Sequence, residues 1–173
     1  MKVKSFIYTL CIGLFALSGA GCASYQLGST LDPALKDVYV PTVRSKVNQP
    51  GIEATVTSAI IREIQREGTM RISEKKDAST ILEIEIIGYE QDTLRYNSDD
   101  LGRAAEYTMT IEAKVMFRKL TGAPEEAVIL SGTFEGEDTF LSGMDTISAK
   151  QRCLPEASKD LAEQIIDACI SVW

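Results

Sequence analysis

The chain has 173 residues, with 18 Lys and Arg against 25 Asp and Glu, for a formal charge of -7. That balance argues against nucleic acid as a partner, because phosphate binding needs a net basic face, and the length suits one domain with a real core. Histidine is absent, which removes the commonest general base and the commonest metal ligand together, so no enzyme is expected.

Lys2 and Lys4 precede an uncharged run from Ser5 to Gly21 that holds Phe6, Ile7, Leu10, Ile12, Leu14, Phe15 and Leu17. This is the layout of an export signal. The run falls short of the ~20 apolar residues that a spanning helix needs. It ends in Ser18, Gly19, Ala20 and Gly21, so cleavage fits better than spanning. Leu17-Ser18-Gly19-Ala20-Gly21-Cys22 resembles the bacterial lipobox, in which small side chains fit the peptidase and a thiol takes diacylglycerol. Gly19 departs from the Leu usual three places before that cysteine. Residues 1–21 are therefore expected to be a signal peptide, with acyl chains, palmitate among them, attached at Cys22. Ala23 in place of Asp implies, by resemblance to sorted lipoproteins, transfer to the outer membrane. At ~0.8 kcal/mol per buried methylene, several acyl chains make an effectively permanent anchor.

Residues 22–36, with Gly28, Ser29, Thr30 and Pro33 and little periodicity, suit a lipidated tether. A single periplasmic α/β domain is expected over 37–173. Val38-Tyr39-Val40 is a β-prone run, and Asn48-Gln49-Pro50-Gly51 breaks the chain before a helix. Ile52, Val56, Ala59, Ile60 and Ile64 recur at helical spacing, which predicts a helix from Ile52 to Glu67 stopped by Gly68. A short run at Met70 to Ser73 and a polar loop follow. Leu82, Ile84 and Ile86 then alternate with Glu83 and Glu85, so that strand has one wet side.

The clearest strand puts Tyr107, Met109, Ile111, Ala113, Val115 and Phe117 on one face and Thr108, Thr110, Glu112, Lys114, Met116 and Arg118 on the other. Thr121-Gly122-Ala123-Pro124 marks a turn, and Val128, Leu130, Gly132 and Phe134 alternate again. A closing helix carries Leu154, Ala157, Leu161, Ile165, Ala168, Cys169 and Val172 on one stripe. Pro155 sits in its first turn or kinks a helix begun near Ile147, and the longer helix is preferred.

The expected fold class is α+β: a two-layer sandwich with an about four-stranded, mainly antiparallel sheet and two helices on one face, in the order β-α-β-β-β-α. If strand one joins its neighbour in parallel, its crossover should be right-handed.

Cys11 leaves with the signal, so only Cys153 and Cys169 remain to pair. Sixteen residues on one straight helix separate them by ~24 Å, against a disulfide limit of ~7 Å. Both read as buried thiols. No Gly-x-Ser-x-Gly elbow and no phosphate loop is found. Glu83, Glu85, Glu135, Glu137 and Asp138 are conceivable oxygen ligands but read better as solvation of a wet sheet face, and Asp92, Asp99 and Asp100 as loop acids. Neither a cofactor nor a metal is expected.

Together with the lipobox, Tyr25-Gln26-Leu27-Gly28, Val38-Tyr39-Val40-Pro41 and Ile60-Ile61-Arg62-Glu63-Ile64 resemble the LPS-assembly lipoprotein LptE family. So do Asp77-Ala78-Ser79-Thr80-Ile81-Leu82-Glu83, Leu94-Arg95-Tyr96 and Ala105-Glu106-Tyr107-Thr108-Met109. The motifs are diffuse but span nearly all of the mature domain. The resemblance implies a non-enzymatic protein, anchored in the outer membrane of a diderm bacterium, that plugs the LptD β-barrel and helps deliver lipopolysaccharide. It also implies basic side chains that touch the phosphates of lipid A. Arg95 at a strand end, and Lys114 and Arg118 four residues apart on one face, are the candidates, with solvated strand charges beside Glu112 as the plainer reading. The same start also resembles accessory lipoproteins of other envelope transport systems, which bind a different protein or lipid. An enzyme working with carboxylates alone is the third class, and no paired acids support it.

Overall fold

The computed structural model describes Asp32 and residues 35–96, 104–121, 127–141 and 146–172. The expected signal peptide, Cys22 as the expected site of lipid attachment, most of the expected tether, Asp99 and Asp100 lie outside the described residues. In chain order the elements are β1 (Asp37–Tyr39), β2 (Arg44–Ser45), α1 (Ile52–Glu67), β3 (Arg71–Ile72), β4 (Thr80–Tyr96), β5 (Ala104–Lys119), β6 (Val128–Leu141) and α2 (Thr146–Ser171).

The expected antiparallel meander is present as β4–β5–β6. Among the described residues the sheet has six strands and is mixed, which corrects the four-stranded expectation. Its order is β3-β1-β4-β5-β6, with β2 beside β4. β1 runs parallel to β3 and β4, and β2 parallel to β4. The reason is physical: β2 and β3 have two residues each, too few for alternation to show, and they are held by backbone bonds to distant partners. Lys46 N–H donates to the Ile86 carbonyl at 2.9 Å, and Arg71 N–H to the Lys36 carbonyl at 2.7 Å.

Parity along the long strands assigns their faces. Leu82, Ile84 and Ile86 lie opposite Phe117, Val115 and Ala113 of β5, and these lie opposite Leu130, Gly132 and Phe134 of β6. Directly opposed residues project to the same side, and this side meets the stripes of α1 and α2 in one core. Leu35 is buried there too, so the core reaches back into the segment expected to be a tether. The other side of the sheet carries no helix among the described residues.

α1 ends where Gly68 turns left-handed at φ 73° and its N–H donates to the Ile64 carbonyl at 3.1 Å. α2 is the longer of the two expected helices, with Pro155 inside it. Pro155 denies a backbone donor to the carbonyl of Gln151, and Gln151 is an exposed residue. Asp160 of α2 accepts the N–H of Glu137 at 3.0 Å and the Gln164 side-chain amide at 3.0 Å. A helix side chain thus occupies part of the otherwise open edge of β6.

The helices are tied to one another by charge. Arg66 donates to both oxygens of the buried Glu63 at 2.9 and 2.7 Å, and to Glu163 of α2 at 3.0 Å. Arg66→Ala is expected to lower the urea midpoint more than Glu163→Ala. Only the first leaves a buried carboxylate without its two charge-assisted bonds.

Cys153 and Cys169 are buried free thiols on α2, as the sequence indicates. Burial pushes Cys169 up to about 12 from 9.0. For Cys153, burial and then a hydrogen bond with Asp138 have the same effect. A thiol whose folded value is raised contributes stability that is complete below pH 9 and is lost as pH climbs from 9 towards 12, because the unfolded chain releases its proton first. The melting temperature should therefore fall across that window, and Cys169→Ala should flatten the fall.

Candidate functional site

The uncovered side of the sheet holds the candidate site. Reading across the strands, Arg44 of β2 lies opposite Glu85 of β4, Glu85 opposite Lys114 of β5, and Lys114 opposite Thr133 of β6. The neighbouring row is Glu83, Met116 and Ser131. β2 is held in place from two directions. Val43 N–H donates to Thr57 Oγ1 of α1 at 3.0 Å, and Lys46 N–H bonds β4 as described. The Ser45 hydroxyl meanwhile donates to the Val47 carbonyl at 3.0 Å and accepts the Val47 N–H at 3.1 Å.

Arg44, Glu83, Ile84, Glu85, Lys114, Val115 and Met116 line a shallow cleft of about 160 Å³. Lys46 Nζ sits 2.8 Å from Glu85 Oε2. That hydrogen bond holds the Glu85 carboxyl below its ordinary value of 4.5, with burial opposing and the charges of Lys46, Arg44 and Lys114 assisting.

The three bases singled out from the sequence share this face but not one place. Arg118 Nε donates to Glu83 Oε2 at 3.1 Å and borders the cleft. Arg95 lies opposite Glu106 near the far end of β4 and pairs with it at 3.1 Å. Lys114 makes no ion pair among the described residues and has Arg44 and Lys46 as company, two cations the sequence reading missed. No periodicity marks β2, so nothing in the sequence sets Arg44 and Lys46 beside Lys114.

Between these two ends the face turns acidic. Glu112 lies opposite Glu135, and Glu90, Thr110 and Glu137 form the next row. Asp92 belongs to exposed β4 rather than to a loop. Asp138 is also corrected. It lies opposite Met109, on the helix-facing side, hydrogen-bonded with Cys153, because the alternation of β6 continues inward through Gly136 to Phe140. Among the described residues no group of three or more acids or cysteines is placed to hold a metal, and no helix is long and apolar enough to cross a membrane.

The fold and site define an α+β protein with a mixed sheet, two helices layered on one face and a cationic cleft on the other. The family model for lipopolysaccharide assembly, LptE, matches residues 35–168. The chain belongs to the LptE family. No curated protein matches it.

Among solved structures, a protein from Xanthomonas campestris superposes with a TM-score of 0.58 at 14% identity, covering 82% of this chain and 90% of its own. A candidate lipoprotein from Caulobacter crescentus gives 0.52 at 12%, covering 80% and 92%. At such identities these likenesses speak for the fold alone. Rare lipoprotein B from Shewanella oneidensis matches at 19% identity over 77% and 89%, with a TM-score of 0.43.

Proposed function

We propose that this chain is an outer-membrane lipoprotein that assists lipopolysaccharide assembly as partner and plug of an LptD-like β-barrel. The observation that carries the reading is the family match over 35–168. In this reading residues 1–21 are removed, Cys22 carries the lipid, 22–36 includes the tether, and 37–173 is the periplasmic domain. The helix-free polar face of the sheet fits the lumen of a barrel, which is wetter than a protein core. Arg95, Lys114 and Arg118 stand on that face, and each is available to a lipid phosphate to the extent that its carboxylate neighbours yield. The work is done by contact and not by catalysis.

The test is to crosslink the tagged full-length chain in intact cells of its diderm host and identify what co-purifies from the outer membrane in mild detergent. One abundant β-barrel is the expected partner. Recovery with an inner-membrane transporter, or of the chain alone, would overturn the barrel reading in favour of an accessory lipoprotein of another transport system. Cys22→Ala should release the chain from the membrane fraction if the lipid is attached there.

A further inference from the structure

β4 runs on past the last of its outer neighbours. β1 pairs with it at Thr80 and Ile81, and β2 at Glu85 and Ile86. From Gly88 to Tyr96 it has β5 on one side and, among the described residues, no strand on the other. The helical layer stops short of this half strand as well. Gln91 and Thr93 lie opposite Met109 and Tyr107, and so face the helix side, yet both are exposed. Such an edge offers alternate N–H and C=O groups to a further strand, and no proline interrupts it. At the other edge of the sheet, Asp160 already holds the Glu137 N–H at 3.0 Å.

The two sides of this edge differ in charge. Glu90 and Asp92 lie opposite Thr110 and Thr108, on the open face. Glu112 leans over Gly88, where an added Cβ would lie 2.9 Å from its Oε2. The nearest ion pairs, Lys46 with Glu85 and Arg95 with Glu106, stand to either side, and none engages these three carboxylates among the described residues. On the helix side Tyr89, Gln91 and Thr93 carry no charge at neutral pH.

We propose that the edge of β4 from Gly88 to Tyr96 docks an extended basic segment of another polypeptide. The segment adds a strand to the sheet, with Lys or Arg at alternate positions meeting Glu90, Asp92 and Glu112 and uncharged side chains between them. Same-face side chains along a strand recur about every 7 Å, so a basic residue at every second place reaches Glu90 and Asp92 in turn. In such strand addition main-chain bonds supply affinity and alternate side chains supply selectivity. Opposite charges directly across a strand pair stabilise it, and like charges destabilise it. That rule decides among occupants. A second copy paired edge to edge sets acids against acids, because Arg95 is engaged by Glu106. The stretch from Ala23 to Leu35 of this chain holds no Lys or Arg, and an anionic lipid meets the same repulsion. The docking edge goes beyond the assembly reading and does not require that the partner be a barrel.

The test uses the full chain, labelled for amide resonances, in micelles of a sugar-headed detergent, with a short peptide of alternating Lys and Val as the probe. Saturable shifts and slowed amide exchange should gather at 88–96. A peptide of alternating Glu and Val should not bind. The Lys-Val peptide N-methylated at every residue keeps its charge but loses its donors, and it should not bind either. Glu90→Gln and Asp92→Asn should each weaken binding about two- to fivefold, the effect of one exposed ion pair.

Equal binding of the N-methylated peptide overturns the proposal, since charge alone then explains the attraction. Absence of binding overturns it too, as do shifts centred away from 88–96. Slowed exchange at 88–96 in the chain alone, together with a dimer in sedimentation, gives the edge to a second copy instead. Each outcome is read on the purified chain, so none depends on whether a barrel is captured in cells.

Discussion

Phe117→Ala is expected to cost about 3 to 5 kcal/mol of folding free energy, the usual range for emptying a buried aromatic site. Phe117 is wholly buried and lies opposite Leu82 on one side and Leu130 on the other, so its ring spans the three strands that make the sheet one body. The neighbours cannot close the hole cheaply, because they belong to separate backbones locked in register. The measurement is urea unfolding followed by far-ultraviolet circular dichroism, with a lower midpoint and an unchanged slope as the signature of lost stability. Met116→Ala is the control. It truncates a residue of similar size on the opposite, half-buried side of the same strand, and should cost far less. Equal losses would mean that the faces have been assigned the wrong way round.

That face assignment was largely legible beforehand. The 3.6-residue stripe of Ile52, Val56, Ile60 and Ile64 marks α1 to its observed ends, and period two marks β5 from Tyr107 to Phe117. These signals are strong because each is repeated and each is enforced by burial. Where burial does not enforce a pattern, the sequence is silent. β2 and β3 are short backbone pairings, and their side chains alternate over too few positions to be read. Ile87 falls at a register shift between Ile86 and Gly88, which breaks the count along β4 and makes its outer half look irregular, so that Asp92 passes for a loop residue.

Asp138 was a different kind of miss. The alternation Leu130, Gly132, Phe134 points onward to Gly136, Asp138 and Phe140, but a charge at the fifth place is the ordinary mark of a wet side. Its partner there, Cys153, arrives from another element. The same holds for the candidate site. Lys114 and Arg118 share a face by parity alone, while Arg44 and Lys46 join Lys114 only because a parallel pairing brings β2 to Glu85 from forty residues away.

Gly136→Ala should be among the most damaging single-methyl additions available in this chain. A Cβ built on Gly136 would land on the Ala157 carbonyl oxygen and on the nitrogen and Cβ of Leu161. These are backbone or backbone-adjacent atoms of α2 and cannot swing aside as a side-chain tip can. The helix has to lift off β6, and in lifting it withdraws Ala157, Leu161 and Ile165, all fully buried, from the sheet. Overpacking of a tight core costs roughly 1 to 3 kcal/mol, and the change belongs at about the upper limit because a whole helix must move.

Gly132→Ala, two rows along the same strand, is the matched control. Its added methyl would meet only the Phe134 ring, at 3.4 Å, so a small change of either sign is expected there. The two variants also separate packing from function. Gly136 and α2 lie on the helix side of the sheet, whereas Arg44, Lys46 and Lys114 lie on the other, so a folded Gly136→Ala chain should unfold at lower urea and still keep the Lys46–Glu85 ion pair, read from unchanged amide resonances at 46 and 85. Movement of those resonances in a chain that remains folded would show that the two faces are coupled through the sheet, and that the position of α2 sets the geometry of the cationic row.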